Sequence, residues 1–377
     1  ISISFIFLST MSPILSRVAI KFGPPEYFAV TILGLSTVVS VIGSSVIKGL
    51  IACLLGLLAS IVGLDLIVGV PRFTFGFVEI LGGFDLIAVL IGMFAIPQIM
   101  VDVTKPQQKL IGESVKRITI PFKELLSNWF NFIRSSIIGT WIGLLPGAGG
   151  SIASLLAYDQ ARQASKKPEK FGKGAIEGVV ASETANNAVI GGSIIPLLTL
   201  GIPGDTPAAV MIAALMIHGL RPGPMLFKTN LDAVYTIFLA LYVSNIMMII
   251  IAFLGAKYII NSLSLPKYLI LPIVISMCFV GTYALNQRLF DVWVMIGFGL
   301  LGYIMNRYRY PVAPFVLGVV LGPIIEYNLR TALQISITGF TTFFARPLSA
   351  FLLILVFVSF LWPVIKPIIK NRSKGKK

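Results

Sequence analysis

Long apolar stretches alternate with short polar or basic connections along most of the chain. A helix needs about 20 apolar residues to cross a hydrocarbon core about 30 Å thick. Windows of this length predict membrane-spanning helices near residues 2–20, 27–45, 47–68, 84–103, 232–254, 268–286, 288–306, 312–329 and 348–366. The pattern therefore predicts an all-α polytopic membrane protein with about ten transmembrane helices, a re-entrant hairpin and a broken helix.

Between Gly139 and Pro224 the apolar pattern is repeatedly interrupted by glycine, proline and uncharged polar residues. The interruptions are the runs GTWIGLLPGAGGS, ASETANNAVIGGS, LTLGIPGDTP and HGLRPGP. Lipid offers no hydrogen-bond partner to a freed backbone N–H or C=O, so non-helical backbone at membrane depth persists only inside protein or beside a watery cavity. We therefore expect the solute to bind in this region.

The first interruption predicts a re-entrant hairpin over residues 137–158. Basic loops lie on both sides of it, and lysine and arginine collect on the cytoplasmic side of membranes, so both of its ends are expected there. The turn is LPGAGG, because Pro146 lacks a backbone donor and the glycines reach conformations that other residues avoid. Ser151 is predicted to cap the helix that follows. The tail KNRSKGKK likewise predicts a cytoplasmic C-terminus.

The second interruption predicts a break at residues 201–204 followed by a short helix. Thr206 is expected to be the N-cap, Pro207 the first helical residue and Gly219 the C-terminal stop. Residues 207–218 rise only about 18 Å, so the helix is expected to begin near the middle of the bilayer. Two such helix starts, one in each interruption, are predicted to converge on one carboxylate or phosphate. The alternative is that both breaks are kinks that only let helices pack closely.

Polar residues between the breaks are candidates for ion or substrate contact. Glu183, Asn186 and Asn187 share a helical face by their i, i+3, i+4 spacing, and carboxylate and amide oxygens are hard ligands for a small cation. The alternative is a hydrogen-bond network that only fixes helix packing. Asp205 offsets the helix dipole that would attract an anion, so it is expected either to cap the helix or to help coordinate a coupling cation.

Composition supports a membrane carrier rather than an enzyme. The chain is 56% hydrophobic and 12% charged, and its formal net charge of +15 arises from basic residues that cluster in loops, which favours membrane topology over nucleic-acid binding. The sequence shows no HExxH zinc motif, no phosphate-binding GxxxxGK[ST] loop and no nucleophile with a histidine partner. No cofactor is expected, and uphill transport would need a coupling ion, Na⁺ or H⁺, or another subunit.

Several long motifs resemble the large membrane subunit of the tripartite tricarboxylate transporters, the TctA family. They are GTWIGLLPGAGGSIASLLAYDQ, GAIEGVVASETANNAVIGGSIIPLLTLGIPGDTPAAV and HGLRPGPMLF, with GPPEYFAV and RFTFG nearer the start. The resemblance implies a bacterial inner-membrane carrier for tricarboxylates and related organic acids, commonly driven by sodium. It also implies two partners, a small four-helix membrane subunit and a periplasmic solute-binding protein.

The positions that match the family's motifs are Pro146, Gly147, Ala148 and Gly149 at the first break, Glu183, Asn186 and Asn187 in the helix, and Gly201, Pro203, Gly204 and Asp205 at the second break. Together with the capping residues Ser151 and Thr206 they give the expected site. Substrate contacts are expected at Pro146, Gly147, Ala148, Gly149, Ser151, Asn186, Asn187, Gly204 and Thr206; coupling-ion contacts at Glu183, Asn187 and Asp205; and a hinge at Gly201 and Pro203.

Family members are similar in having an earlier copy of the LPG and PG hairpin pattern, which this sequence lacks. Because the chain also begins at Ile1, an N-terminally incomplete chain is expected, corresponding to the second half of an inverted-repeat transporter. A passive channel and a non-transporting scaffold remain alternatives. The expected divisions are 1–104 (transmembrane helices of a truncated first half), 105–135 (basic cytoplasmic loop or interfacial helix), 136–231 (substrate region), 232–370 (C-terminal transmembrane helices) and 371–377 (basic tail).

Overall fold

In the computed structural model the described residues are 1–42, 46–65, 67–104, 127–145, 149–165, 167–262, 267–336 and 339–359, and most of them are helical. The helices are α1 (Ser2–Ala19), α2 (Pro24–Ile42), α3 (Val46–Ser60), α4 (Leu86–Thr104), α5 (Trp129–Leu144), α6 (Gly149–Ala164), α7 (Ile176–Leu200), α8 (Thr206–Ile217), α9 (Leu226–Thr229), α10 (Leu231–Ser262), α11 (Lys267–Asn286), α12 (Leu289–Arg307), α13 (Val312–Ile335), α14 (Thr342–Ala345) and α15 (Pro347–Ser359). Two short strands, β1 (Gly63–Leu64) and β2 (Pro71–Arg72), pair antiparallel.

The prediction of an all-α polytopic membrane protein is confirmed. Among the described residues, six helices are long and apolar enough to cross a membrane, and the number rises to seven if the pair Gly339–Ala345 and Pro347–Ser359, bent by 91°, forms one span. Within the described ranges this number is below the predicted ten or so, partly because some apolar stretches form shorter helices and partly because the predicted span 348–366 continues past residue 359. For example, α3 has 15 residues where a span over 47–68 was predicted, since the chain turns at Gly63, with φ +117°, into the β1–β2 hairpin.

Parts of several predicted segments lie outside the described residues. They include 105–126 of the predicted basic loop, the hairpin tip 146–148 with Pro146, Gly147 and Ala148, and the C-terminal residues 360–377. The predicted divisions of the chain, the inverted repeat and the cytoplasmic C-terminus therefore stay predictions.

α5 and α6 form a helical hairpin that packs against α7. α5 runs parallel to α7, because Gly139 lies against Ala185 and a Cβ on Gly143, one turn later, would lie 2.5 Å from the Val189 carbonyl oxygen. α6 runs the opposite way, since Gly150 lies against Asn186 and Ser154 Oγ, one turn later in α6, donates to the carbonyl oxygen of the earlier residue Ser182 at 3.1 Å. Each hairpin helix has 16 residues, about 24 Å, which is shorter than the hydrocarbon core.

Small side chains let the three helices approach closely. The buried residues between them are mostly alanines, with one valine: Ala153, Ala157, Ala161, Ala181, Ala185 and Val189. Close backbone approach through small residues is the usual way helices pack in membranes, where lipid removes the hydrophobic drive for helix association. The larger core of the protein lies elsewhere, around residues such as Met295, Phe315 and Leu321.

The β1–β2 hairpin is fastened to α13 by four charged side chains. Arg72 donates two hydrogen bonds to the Glu326 carboxylate, at 2.6 and 3.0 Å. Arg330 bonds to Glu326 at 3.1 Å and also to Asp65. The other oxygen of Asp65 accepts from two backbone N–H groups of its own loop. The two positive and two negative charges balance, so the cluster ties the loop to the helix without excess charge.

Candidate functional site

The break after α7 folds the chain back along the helix it has just left. Gly201 ends α7 with φ +74°, a conformation that a side chain would disfavour, and its N–H donates to the Leu197 carbonyl oxygen at 2.9 Å. Three residues later Gly204 lies against Ser193, where a Cβ would come within 2.6 Å of Ser193 Cα. Ser193 is eight positions, or about 12 Å, before Gly201 along α7. The chain from Gly201 to Gly204 reaches at most about 11 Å, so it returns over most of that distance.

The N-cap of α8 is Asp205, and the prediction of Thr206 is wrong. The Asp205 backbone is extended and its carboxylate accepts from the Ala208 N–H at 2.9 Å, while Thr206 and Pro207 are already in the first turn. A carboxylate suits this position because it accepts a hydrogen bond and opposes the positive end of the helix dipole. The predicted stop at Gly219 is confirmed, since its φ is +72° and Leu220 N–H bonds back to the Leu215 carbonyl oxygen.

α8 runs back towards the level at which α7 ended. Gly223 N–H donates to the Leu198 carbonyl oxygen at 3.1 Å, so the chain is again beside the end of α7 soon after α8. The five steps along the chain from Ile217 to Pro222 span at most about 18 Å. If α8, about 18 Å long, instead continued away from the end of α7, this connection would have to cover its length plus the distance already returned along α7, almost 30 Å in all. Asp205 therefore lies where the chain, after returning along α7 towards Ser193, reverses direction and enters α8.

α6 begins at Gly149, directly after the tip residues 146–148 in the sequence, and the prediction that Ser151 caps it is wrong. The helix starts at Gly149, whose φ is +63°, so Ser151 is the third helical residue, and its side chain is exposed. Gly150 faces α7, and the space that a Cβ on Gly150 would need is filled by the side-chain oxygen of Asn186. The start of α6 and this amide are therefore in direct contact.

The two helix starts lie against the same helix but two turns apart. α6 starts beside Asn186 and α8 starts beside Ser193, which are seven residues, or about 10 Å, apart along α7. From there α6 runs towards the beginning of α7, whereas α8 runs towards its end. The positive ends of the two helices thus point towards each other across this interval.

The three polar residues proposed to share a face of α7 are not equivalent. Glu183 and Asn186 lie on its exposed side, together with Val179 and Ile190. Asn187 is half-buried and donates from Nδ2 to the Glu183 carbonyl oxygen at 2.8 Å, a bond within its own helix.

The predicted coupling-ion residues do not come together. Glu183 and Ser193, where Asp205 lies, are ten positions apart on α7, or about 15 Å. That separation is too large for Glu183 and Asp205 to bind one cation, whose oxygen ligands each lie about 2.4 Å from it. Within the described ranges there is no group of three or more His, Cys, Asp or Glu side chains able to hold a metal ion.

Asp205 has a different set of oxygen neighbours, which sequence inspection missed. Asp205 is 8% exposed and its carboxylate lies near the Ser193 side chain, whose hydroxyl donates to the Ile190 carbonyl oxygen at 3.1 Å. A further oxygen, the Gly143 carbonyl in the last turn of α5, lies against the preceding residue Gly204, 2.4 Å from where a Cβ there would be. The last carbonyls of a helix have no partner within it and carry its negative end. Ser193 and Gly143 occur in the interrupted runs, but nothing in their spacing shows that they meet the Gly204–Asp205 segment.

Comparison with known proteins identifies the family. A sequence model described as "Tripartite tricarboxylate transporter TctA family" matches residues 1–317. The chain is 34% identical over 362 residues to an "Uncharacterized 52.8 kDa protein in TAR-I ttuC' 3'region" of Agrobacterium vitis, covering 93% of this chain and 70% of that protein. It is 35% identical over 236 residues to an "Uncharacterized protein in TAR-II ttuC' 3'region" of the same organism, covering 63% of this chain and 98% of that protein.

No solved structure matches the chain. The family match extends from the first residue through α5, α6, α7 and α8 into α13, and so includes both helix starts and the polar residues between them. The chain belongs to the tripartite tricarboxylate transporter TctA family.

Proposed function

We propose that the chain is the large permease subunit of a binding-protein-dependent, cation-coupled secondary transporter that imports tricarboxylates or related organic acids. The observation that carries this proposal is the pair of helix starts that face each other along α7. Broken helices of this kind form the binding sites of many secondary transporters, with N-termini directed at anions and C-terminal ends at cations. Family membership supports the same function.

A substrate carboxylate is assigned to the start of α6. The backbone N–H groups of Gly149, Gly150 and Ser151 precede the first intrahelical bonds and are free to donate to an anion. Asn186, in contact with Gly150, adds an amide donor at the same place. The tip residues 146–148 adjoin this start in the chain and are expected to contribute to the same site.

The coupling cation is assigned to Asp205. Its carboxylate, the Ser193 hydroxyl and the Gly143 carbonyl are all oxygen ligands, which suit a hard cation such as Na⁺. The carboxylate already opposes the positive end of α8, so a second anion is less favoured there. The substrate carboxylate would thus bind at the start of α6 and the coupling cation at the start of α8.

The distance between the two positions provides a physical basis for coupling. Opposite unit charges about 10 Å apart attract by about 2 kcal/mol at an effective dielectric constant of about 20. A coupling free energy of this size changes binding by more than tenfold, which is typical of linked sites. A bound cation would therefore strengthen binding of the anion without touching it.

The proposal includes the partners and the location. We expect a small four-helix membrane subunit, a periplasmic solute-binding protein that delivers the organic acid, and a multi-pass position in the bacterial inner membrane. No catalytic role is assigned to any residue. Much of the selectivity would then reside in the binding protein, because backbone N–H groups and amides accept many carboxylates.

Uptake into proteoliposomes tests the function. The chain, reconstituted with both expected partners, is predicted to accumulate a radiolabelled organic acid against its gradient when an inward Na⁺ or H⁺ gradient is present. Collapse of the cation gradient should abolish accumulation. Equilibration without accumulation would indicate a passive channel instead, and no uptake together with no binding of organic acids would indicate a scaffold.

A further inference from the structure

A shallow cavity outside the proposed transport site lies beside the start of α12. Its volume is about 470 Å³, and it is lined by Phe77, Glu79, Ile80, Phe290 and Trp293. Three of these residues come from the loop between β2 and α4, and two come from the first turns of α12. The cavity thus forms where a loop meets the end of a predicted membrane-spanning helix.

Hydrogen bonds hold the two walls of the cavity together. Asp85, at the end of the loop, accepts from the Ala88 N–H at 2.9 Å and so caps α4. Its second oxygen accepts from Asn286 Nδ2 at 3.1 Å, just before α12. Gly83 N–H donates to the carbonyl oxygen of Ile80, a lining residue, at 2.8 Å, which connects the segment before Asp85 to the cavity-lining part of the loop. The cavity is therefore built into the fold and does not depend on one mobile side chain.

The lining has the chemistry of a cation site. Three aromatic side chains and one carboxylate line the same cavity. Glu79 is exposed, and no ion pair or hydrogen bond of its side chain occurs within the described part of the chain. The nearby cation Arg288 is occupied, because it donates to both oxygens of Asp291, at 3.0 and 3.2 Å. Aromatic faces attract ammonium groups, and a carboxylate adds to this attraction.

The surface below the cavity fits an acyl chain. Trp293 is 69% exposed, and the exposed Leu300 and Ile304 follow it at helical spacing along α12. Gly297 lies between them and has open space where a Cβ would project, so the stripe contains a notch. Tryptophan is enriched at the boundary between lipid and water, which matches a headgroup in the cavity and its chains along the stripe.

We propose that this cavity binds the ammonium headgroup of a zwitterionic phospholipid of the phosphatidylethanolamine type, with an acyl chain lying along Trp293, Gly297 and Leu300. The charge of Glu79 selects a headgroup with an ammonium over one without it. The site is independent of the proposed transport function, since it shares no residue with α5, α6, α7 or α8.

Native mass spectrometry of the full chain, delipidated and then mixed with equal amounts of phosphatidylethanolamine and phosphatidylglycerol of identical acyl chains, tests the proposal. The wild-type protein is expected to retain phosphatidylethanolamine preferentially. Glu79→Gln and Phe77→Ala should each lower that retention by about five- to tenfold, and Glu79→Lys should favour phosphatidylglycerol. Phe75→Ala is the matched control, because Phe75 is 81% exposed in the same loop but does not line the cavity.

Equal retention of the two lipids by the wild-type protein would overturn the proposal, as would unchanged retention in Glu79→Gln. If the two lipids bind equally while Glu79→Gln weakens association with a partner protein, the cavity takes a cationic side chain and the lipid assignment is wrong. Because Glu79 is exposed, its substitutions should leave the melting temperature unchanged, which separates loss of lipid from loss of fold.

Discussion

Asn186 of α7 holds its side-chain oxygen against the backbone of Gly150, in the space that a Cβ at position 150 would occupy. The contact joins the start of α6 to the helix along which both breaks are arranged. Glycine is needed at position 150 because any side chain there would push the Asn186 amide away from the start of α6.

We predict that Gly150→Ala impairs uptake by displacing the Asn186 side chain. The displaced group is the flexible end of a side chain, so the fold should be retained while the KM for the organic acid rises about tenfold, as for the loss of one hydrogen bond to a charged group. Asn186→Ala should have a similar effect. The double variant should be no worse than either single one, because both remove the same contact. Additive effects in proteoliposome uptake would show that the two residues act separately.

Asp205→Asn separates the role of a helix cap from the role of a cation ligand. Asparagine caps helices about as well as aspartate, so the melting temperature should change little, whereas Asp205→Ala should cost about 1 kcal/mol of stability. If the carboxylate binds the coupling cation, Asp205→Asn should raise the Na⁺ or H⁺ concentration needed for half-maximal uptake by tenfold or more. Unchanged cation dependence in Asp205→Asn would leave this residue as a cap only.

Gly139→Ala should separate α5 from α7. A Cβ at this position would overlap the Ala185 carbonyl oxygen, which belongs to rigid backbone and has no room to move aside. Overpacking of this kind costs about 1–3 kcal/mol, so a lower melting temperature in detergent is expected. Gly281→Ala in α11 is the matched control, because a Cβ there meets nothing within 4 Å and alanine favours the helix. Equal melting temperatures for the two variants would contradict the close packing of α5 on α7.

The four charged side chains that join the β1–β2 hairpin to α13 predict a pH-dependent contribution to stability. The backbone N–H of Val68, the Arg330 guanidinium and the backbone N–H of Ile67 lower the pKa of Asp65 below its ordinary value. A carboxylate with a lowered pKa stabilises the folded state at pH values above about 3.9 and loses this effect as the pH falls from there towards its folded-state pKa. Asp65→Ala should therefore melt below the wild-type protein at pH 7, by a margin that stays constant down to about pH 4 and then narrows.

Thermal unfolding in detergent between pH 3 and pH 7 measures this margin. Glu169→Ala, at an exposed position between α6 and α7, should match the wild-type protein throughout. A margin for Asp65→Ala that persists unchanged to pH 3 would mean that packing of the side chain, rather than its charge, stabilises the loop.

The sequence by itself determined the features that depend on local chemistry. The length of the apolar stretches predicted membrane helices. Proline and glycine marked both breaks, because the wide conformational range of glycine and the missing N–H of proline affect the backbone only within a few residues. Loop charge indicated a hairpin over 137–158, and Gly219 was predicted correctly as a helix stop. Both caps were predicted wrongly. Thr206 is an acceptable cap, but Asp205 next to it caps the helix instead, and Ser151 is an acceptable cap, but its helix already starts at Gly149.

Only the tertiary structure decided which of these local features meet. Asn186 touches Gly150, Ser193 lies beside Asp205, and Arg72 reaches Glu326 across 254 positions of sequence. Such contacts depend on the direction in which each helix packs, and small residues such as Gly143 permit close approach without specifying its partner. The sequence alone predicted that the chain breaks twice in the region proposed to bind the solute. Packing along α7 decided that the two breaks lie about 10 Å apart, with a carboxylate at one and an amide at the other.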